Sequence, residues 1–341
     1  MIRRFGRATV AVAVSTSFAL AACGGSPSSS PRPYVAPQMG LHSQVGVPTS
    51  SCLSTSCMYV TDRNSNAVTA YTQTATGNVA PLATISGSKT LLSSPVGIFV
   101  DSGRKVHVAN YSGIAVTTYA AGATGNVAPT STIVGSRTLL SGPDSVALDA
   151  AGISYVANWG NSTLTVYAKR ARGDVTPVRA IGGSNTLLNG PVGIAVDAAR
   201  KLYVADLLSN TVTVFAAGAN GNAVPLQAIS GANTLLNGPG GVAVDGAHRI
   251  YAANSYGNSV TVYAPGAKGN VKPTRTISGS KTGLTYPTQV TLDAGGFIYV
   301  TNRDANSVTV YAPTAKGNVA PVRTVSGSNT LLNAPAGISL R

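Results

Sequence analysis

A 48-residue unit recurs six times along this chain without insertion or deletion, so the fold must be assembled from six equivalent parts. The motif Gly-Asn/Asp-x-x-Pro starts at Gly77, Gly125, Gly173, Gly221, Gly269 and Gly317. An aromatic keeps the same spacing at Tyr71, Tyr119, Tyr167, Phe215, Tyr263 and Tyr311, and a second proline follows at Pro95, Pro143, Pro191, Pro239, Pro287 and Pro335. Periods of this length belong to solenoids and propellers.

The interior of one unit separates the two. Gly193-Ile194-Ala195-Val196-Asp197 and Leu202-Tyr203-Val204-Ala205 read as two strands joined by a polar turn. Thr211-Val212-Thr213-Val214-Phe215 alternates with period two, and Leu226-Gln227-Ala228-Ile229 follows a second turn. Four short antiparallel strands per unit make a propeller blade. No stretch holds a 3.6-residue pattern over ten residues, so the expected class is all-β, a six-bladed propeller. The chain ends in the first strand of a unit, and the three strands that complete that unit lie at Met58 to Ile85; residues 54 to 341 make 288, six times 48. The C-terminal strand is therefore expected to pair with the N-terminal blade, closing the ring and removing a sheet edge.

Three segments follow: residues 1–22, 23–51 and 52–341. Arg3, Arg4 and Arg7 precede a short apolar run, which reads as an export signal too short to span a bilayer. Leu20-Ala21-Ala22-Cys23 looks like a bacterial lipobox, with Cys23 the expected lipidation site. Residues 23–51, rich in Ser, Pro and Gly, read as a flexible tether that would span about 30 Å on average. The expected location is the bacterial envelope, lipid-anchored and either periplasmic or at the outer surface. Cys52 and Cys57, the other two cysteines, read as a disulfide in an oxidising compartment.

The strings Gly193 to Asp197, Tyr155-Val156-Ala157-Asn158 and Ser259-Val260-Thr261-Val262-Tyr263 give the chain its family likeness: over residues 54–341 it resembles NHL-repeat and related six-bladed propellers. That resemblance implies the fold more than an activity, because such propellers serve as lactonases, lyases and binding modules alike. Lactonases of this type use a Glu/Asp/Asn calcium cluster, and the amidating lyases hold zinc through several histidines. Neither set maps onto this sequence, which has no glutamate and scatters His42, His107 and His248. No cofactor, metal ligand set or catalytic residue is assigned.

The ten aspartates argue the same way. Asp101, Asp149, Asp197, Asp245 and Asp293 share one repeat position, with Arg341 in the sixth. Such copies are expected to accept hydrogen bonds within their own turns, whereas a carboxylate ring for a cation would be incomplete. Asp62 and Asp206 share another position with four asparagines and read as turn caps.

Candidate ligand-binding residues lie where the repeat departs from itself. After the Asn/Asp position the units carry Arg63, Tyr111, Trp159, Leu207, Ser255 and Arg303; Asp144 replaces Val, and Tyr286-Pro287-Thr288-Gln289 replaces Gly-Pro-Val-Gly. In antiparallel blades these positions share one face. The expected ligand-binding set is Arg63, Tyr111, Asp144, Trp159, Tyr286, Gln289 and Arg303, with arginines for anionic groups and aromatics for stacking on sugars. Without the three arginines of the signal, 21 basic side chains stand against 10 acidic ones, a charge of +11. That sign favours an anionic envelope polymer, a carbohydrate or an acidic protein partner. Nucleic acid is not expected, for want of a basic motif with interleaved aromatics. The expected role is a recognition or assembly module; the alternative is a lactonase- or lyase-like enzyme at the channel mouth with Asp144 as its acid.

Overall fold

In a computed structural model, residues 52–54 and 56–341 are described, and they form six sheets of four antiparallel strands. Cys23, the expected lipidation site, and the rest of residues 1–51, the expected signal and tether, lie outside the described residues. A typical blade runs from an inner strand at Pro95–Val100 through Val106–Asn110 and Ala115–Tyr119 to a short outer strand at Ser131–Ile133. Both faces of each blade pack against neighbours, which is why strands such as Leu202–Asp206 and Thr211–Phe215 are buried at every position. The described residues contain six three-residue 3₁₀ turns, each too short to leave a helical period in the sequence.

Closure of the ring follows the expectation. The strand Pro335–Leu340 pairs with Cys57–Asp62, placing Met58 opposite Leu340 and Val60 opposite Ile338. Arg341 N–H donates to the Cys57 carbonyl at 2.8 Å. The Cys52 and Cys57 sulfurs are bonded at 2.06 Å, so the disulfide sits where the chain enters this closing sheet.

The recurring motifs turn out to be contacts between blades. Gly125 N–H donates to Thr84 O of the preceding blade at 2.6 Å, and the Asn126 side chain accepts from Lys89 N–H at 2.7 Å. The same pair of bonds runs round the ring to Gly77 with Thr324 and Asn78 with Asn329. The partner loop must carry a glycine here: Gly87 has φ 114°, and a Cβ on it would lie 2.6 Å from Asn126 Cγ. The periodic tyrosine is a second staple, its hydroxyl donating to a threonine carbonyl in the neighbouring 3₁₀ turn, as from Tyr119 to Thr90 and Tyr167 to Thr138, both at 2.6 Å. Burial pushes the Tyr119 and Tyr167 hydroxyls up to about 12.

The repeated acids are scaffold. Asp197 accepts from Lys201 N–H at 2.8 Å and from the Tyr203 hydroxyl at 3.2 Å, and Asp149, Asp245 and Asp293 make the same pair of bonds in their turns. At the other end of the strand, buried Asn158 accepts from Ser141 N–H and donates to Thr165, while Asp206 accepts from both Asn189 N–H and Thr213. Burial without a cationic partner pushes Asp206 and its equivalent Asp62 up to about 7.

Candidate functional site

Every inner strand begins with proline, and the residue after it points into the mouth of the axial channel. This gives a ring of Val96, Asp144, Val192, Gly240, Thr288 and Ala336, all six of which line a cavity of about 100 Å³. The loop after each second strand ends on the same face and adds Arg63, Leu207, Ser255 and Arg303 to the lining. Tyr286 and Gln289 also line it, with Gly97, Ser145 and Gly337. Thus five of the seven residues singled out from the sequence meet in one cavity. Tyr111 and Trp159 stand beside it, packed together with ring centroids 6.0 Å apart.

Asp144 is the single carboxylate of the ring. Its neighbours at this height are apolar or small, and burial raises it to about 7, with the positive charge of Arg63 pulling the other way. Among the described residues its side chain has no hydrogen-bond partner, unlike the turn aspartates. It retains partial solvent access through the cavity. A carboxyl group poised this way can donate or accept near neutral pH.

The two arginines are held differently. Arg63 donates through Nε to Ser94 Oγ at 3.1 Å and lies 5.2 Å from the Tyr111 ring centroid. Arg303 donates to Asp304 at 2.8 Å and stacks 3.4 Å above the Tyr286 ring. Cation–π contacts of this sort contribute about 0.5–1 kcal/mol at exposed sites and fix the guanidinium plane.

Tyr286 carries backbone strain. Its φ is 50°, in the left-handed region, where three other blades place Gly142, Gly190 and Gly238. A bulky residue there costs on the order of 1–2 kcal/mol. Its ring meets Tyr256 edge-on at 5.8 Å while supporting Arg303, so the strained residue holds the aromatic wall in place.

Gln289 occupies the next ring position down, where four blades have glycine. A Cβ on Gly241 would sit 1.9 Å from Gln289 Oε1, so the neighbouring glycine makes room for the amide. Gln289 lines both the mouth and the axial channel of about 300 Å³ below it, and stands between them. Ser255 donates to the Pro287 carbonyl at 2.7 Å, and Thr288 bonds Thr301 at 3.0 Å. These two, with Leu207, escaped the sequence reading as site residues; their common residue types give no chemical signal, although their column of the repeat did.

The donor set does not fit a divalent cation. Asp144 is the only carboxylate in the lining of the mouth and shares that lining with the guanidinium groups of Arg63 and Arg303, and among the described residues no three His, Cys or acidic side chains converge.

The family described as "Lactonase, 7-bladed beta-propeller" matches residues 40–330. The ring here has six blades. No curated protein matches the chain. Among solved structures, a protein of unknown function from Bacteroides caccae aligns at 11% identity over 84% of this chain and 99% of that one, with TM-score 0.63. A chain of a nidogen/laminin complex aligns at 18% identity over 84% and 98%, TM-score 0.56. The WD40 β-propeller domain of Doa1 aligns at 14% over 80% and 79%, TM-score 0.54. At these identities the likeness is one of fold.

Proposed function

We propose, given that the chain belongs to the lactonase, 7-bladed β-propeller family, that its channel mouth binds a compact anionic, hydroxylated small molecule such as an acidic sugar or the end of an acidic polymer. The observation that carries this reading is the meeting of two ring-supported arginines with one carboxyl group that has no hydrogen-bond partner among the described residues. Arg63 and Arg303 take the anionic group. Asp144 hydrogen-bonds a ligand hydroxyl, and Gln289 forms the floor. In this reading the protein is an envelope-anchored recognition module, tethered through Cys23, with Tyr111 and Trp159 flanking the bound molecule.

A second reading, hydrolysis of a lactone, is favoured by the family and by Asp144. A base near pH 7 would accept a proton from water as that water adds to the lactone carbonyl. The ring C–O bond then breaks as Asp144 returns that proton to the leaving alkoxide oxygen, and the product is a hydroxy acid.

Calorimetric titration with glucuronate, with glucose as the uncharged comparison, tests the first reading. Binding of glucuronate that falls at least tenfold in Arg303→Ala supports it; equal binding of both sugars, or of neither, overturns it. Base uptake on adding glucono-δ-lactone, lost in Asp144→Asn, would support the second; hydrolysis no faster than in buffer overturns it.

A further inference from the structure

We propose that the mouth face is a membrane-docking surface, seated on an anionic phospholipid bilayer through a crown of leucines around the mouth. Leu91, Leu139, Leu187, Leu235 and Leu331 occupy one repeat position, in the link that carries each outer strand over to the next inner strand. All five have φ between 59° and 61° and are 49–56% exposed. Each therefore bears the steric cost of the left-handed region, about 1–2 kcal/mol, and leaves half its apolar surface in water. Asparagine or glycine would avoid both costs, and Gly283 stands in the sixth unit with φ 71°. A burden repeated five times points to a use for the side chain.

The surroundings fit a lipid interface. Ile114, Leu208 and Tyr256, at the tips of second-to-third-strand loops, are 49%, 54% and 52% exposed. With the crown they make eight of the fourteen exposed large apolar side chains among the described residues, and at Leu187 this surface continues into a groove lined by Val224 and Leu226. Tyr111, Trp159 and Tyr286 add the aromatics that favour the headgroup region. Lys89, Arg137 and Lys281 sit two residues before crown positions, and with Arg63 and Arg303 they outnumber the exposed carboxylates Asp174 and Asp304, Asp62, Asp144 and Asp206 being raised to about 7 by burial, which favours anionic lipid.

Symmetry selects the occupant. Residues at one repeat position stand at one height around the axis, so the crown defines a plane. A folded protein partner needs one dense patch, whereas equal contacts round a ring suit a flat, laterally uniform surface. This inference does not depend on the ligand proposed for the mouth, because the crown lies outside the cavity lining.

Trp159, the only tryptophan, reports on this face and not on any anchor. The full chain carrying Cys23→Ser is mixed with vesicles of phosphatidylglycerol or phosphatidylcholine containing a doxyl-labelled lipid. Docking predicts a blue shift and quenching of Trp159 with phosphatidylglycerol. The triple variant L139N/L187N/L235N should lower partition at least tenfold, and Gly283→Leu, whose Cβ meets only ordinary contact 3.6 Å from Thr309, should raise it two- to threefold. Emission indifferent to lipid, or partition unchanged in Gly283→Leu, overturns the proposal. Equal quenching by phosphatidylcholine overturns the choice of anionic lipid. Glucuronate titration uses no lipid, so failure here leaves the mouth reading standing, and the reverse.

Discussion

Replacing Asp206 by asparagine should stabilise the protein, and the gain should grow with pH. Asp206 is fully buried, accepts from Asn189 N–H and Thr213, and is raised to about 7 by burial. Because the folded value lies above the ordinary one, the folded chain retains a proton that the unfolded chain has lost. Stability is therefore fully present below about pH 4 and declines as pH rises to about 7. About three pH units at roughly 1.4 kcal/mol each give an upper bound near 4 kcal/mol, and relaxation around the charge brings the expected loss to about 2–3 kcal/mol. Asparagine removes the titration and keeps the bonds, as Asn158, Asn254 and Asn302 show by donating to Thr165, Thr261 and Thr309 at 3.0–3.1 Å. Urea denaturation of both proteins at pH 4, 6 and 8 measures the gap. It should be small at pH 4 and reach its full size by pH 8; a gap constant across the series would refute the burial argument.

Removing residues 335–341 should abolish the single cooperative unfolding transition seen by calorimetry, because the closing strand, including buried Ile338, is lost and Cys57–Asp62 becomes a bare edge. Phe215→Tyr should raise stability by about 1 kcal/mol in thermal melts, by supplying Thr186 with the hydroxyl bond that Tyr119 and Tyr167 give to Thr90 and Thr138, whereas Tyr167→Phe should lower it by a similar amount. Glucuronate affinity measured from pH 5 to 9 should change most near pH 7, weakening above it as Asp144 ionises beside the bound anion, and Asp144→Asn should flatten the profile.

Much of the ring was legible because a strict repeat makes each position its own control. Copies at one position, such as Asp149 and Asp197, pointed to turns, and the turns are where their bonds go. The same logic picked out Arg63, Asp144, Tyr286, Gln289 and Arg303 as departures, and these line one cavity. It could not see depth. Tyr111 and Trp159 sit in the same column as Arg63, yet they pack on each other beside the mouth, because adjacent large rings satisfy one another before they reach the axis. Ser255 and Thr288 enter the lining through inter-strand hydrogen bonds that residue type alone does not announce. The left-handed backbone of Tyr286 and the five leucines was equally hidden, since the sequence shows bulky residues but not the φ they adopt.

The staple made by each Gly-Asn/Asp-x-x-Pro segment is directional: it reaches from one blade onto the outer strand and 3₁₀ turn of the blade before it. A blade thus has a donor side and an acceptor side, and contacts of that kind either close on themselves or run on without end. Six equivalent steps close here with no free side, and the seam is the hydrogen-bonded pairing of Pro335–Leu340 with Cys57–Asp62 inside one sheet. A chain one blade short would expose both halves of the contact at once, and its surfaces would be complementary to those of every other such molecule. Exact repetition, which makes the ring easy to build, thereby makes blade number a matter of solubility as well as shape.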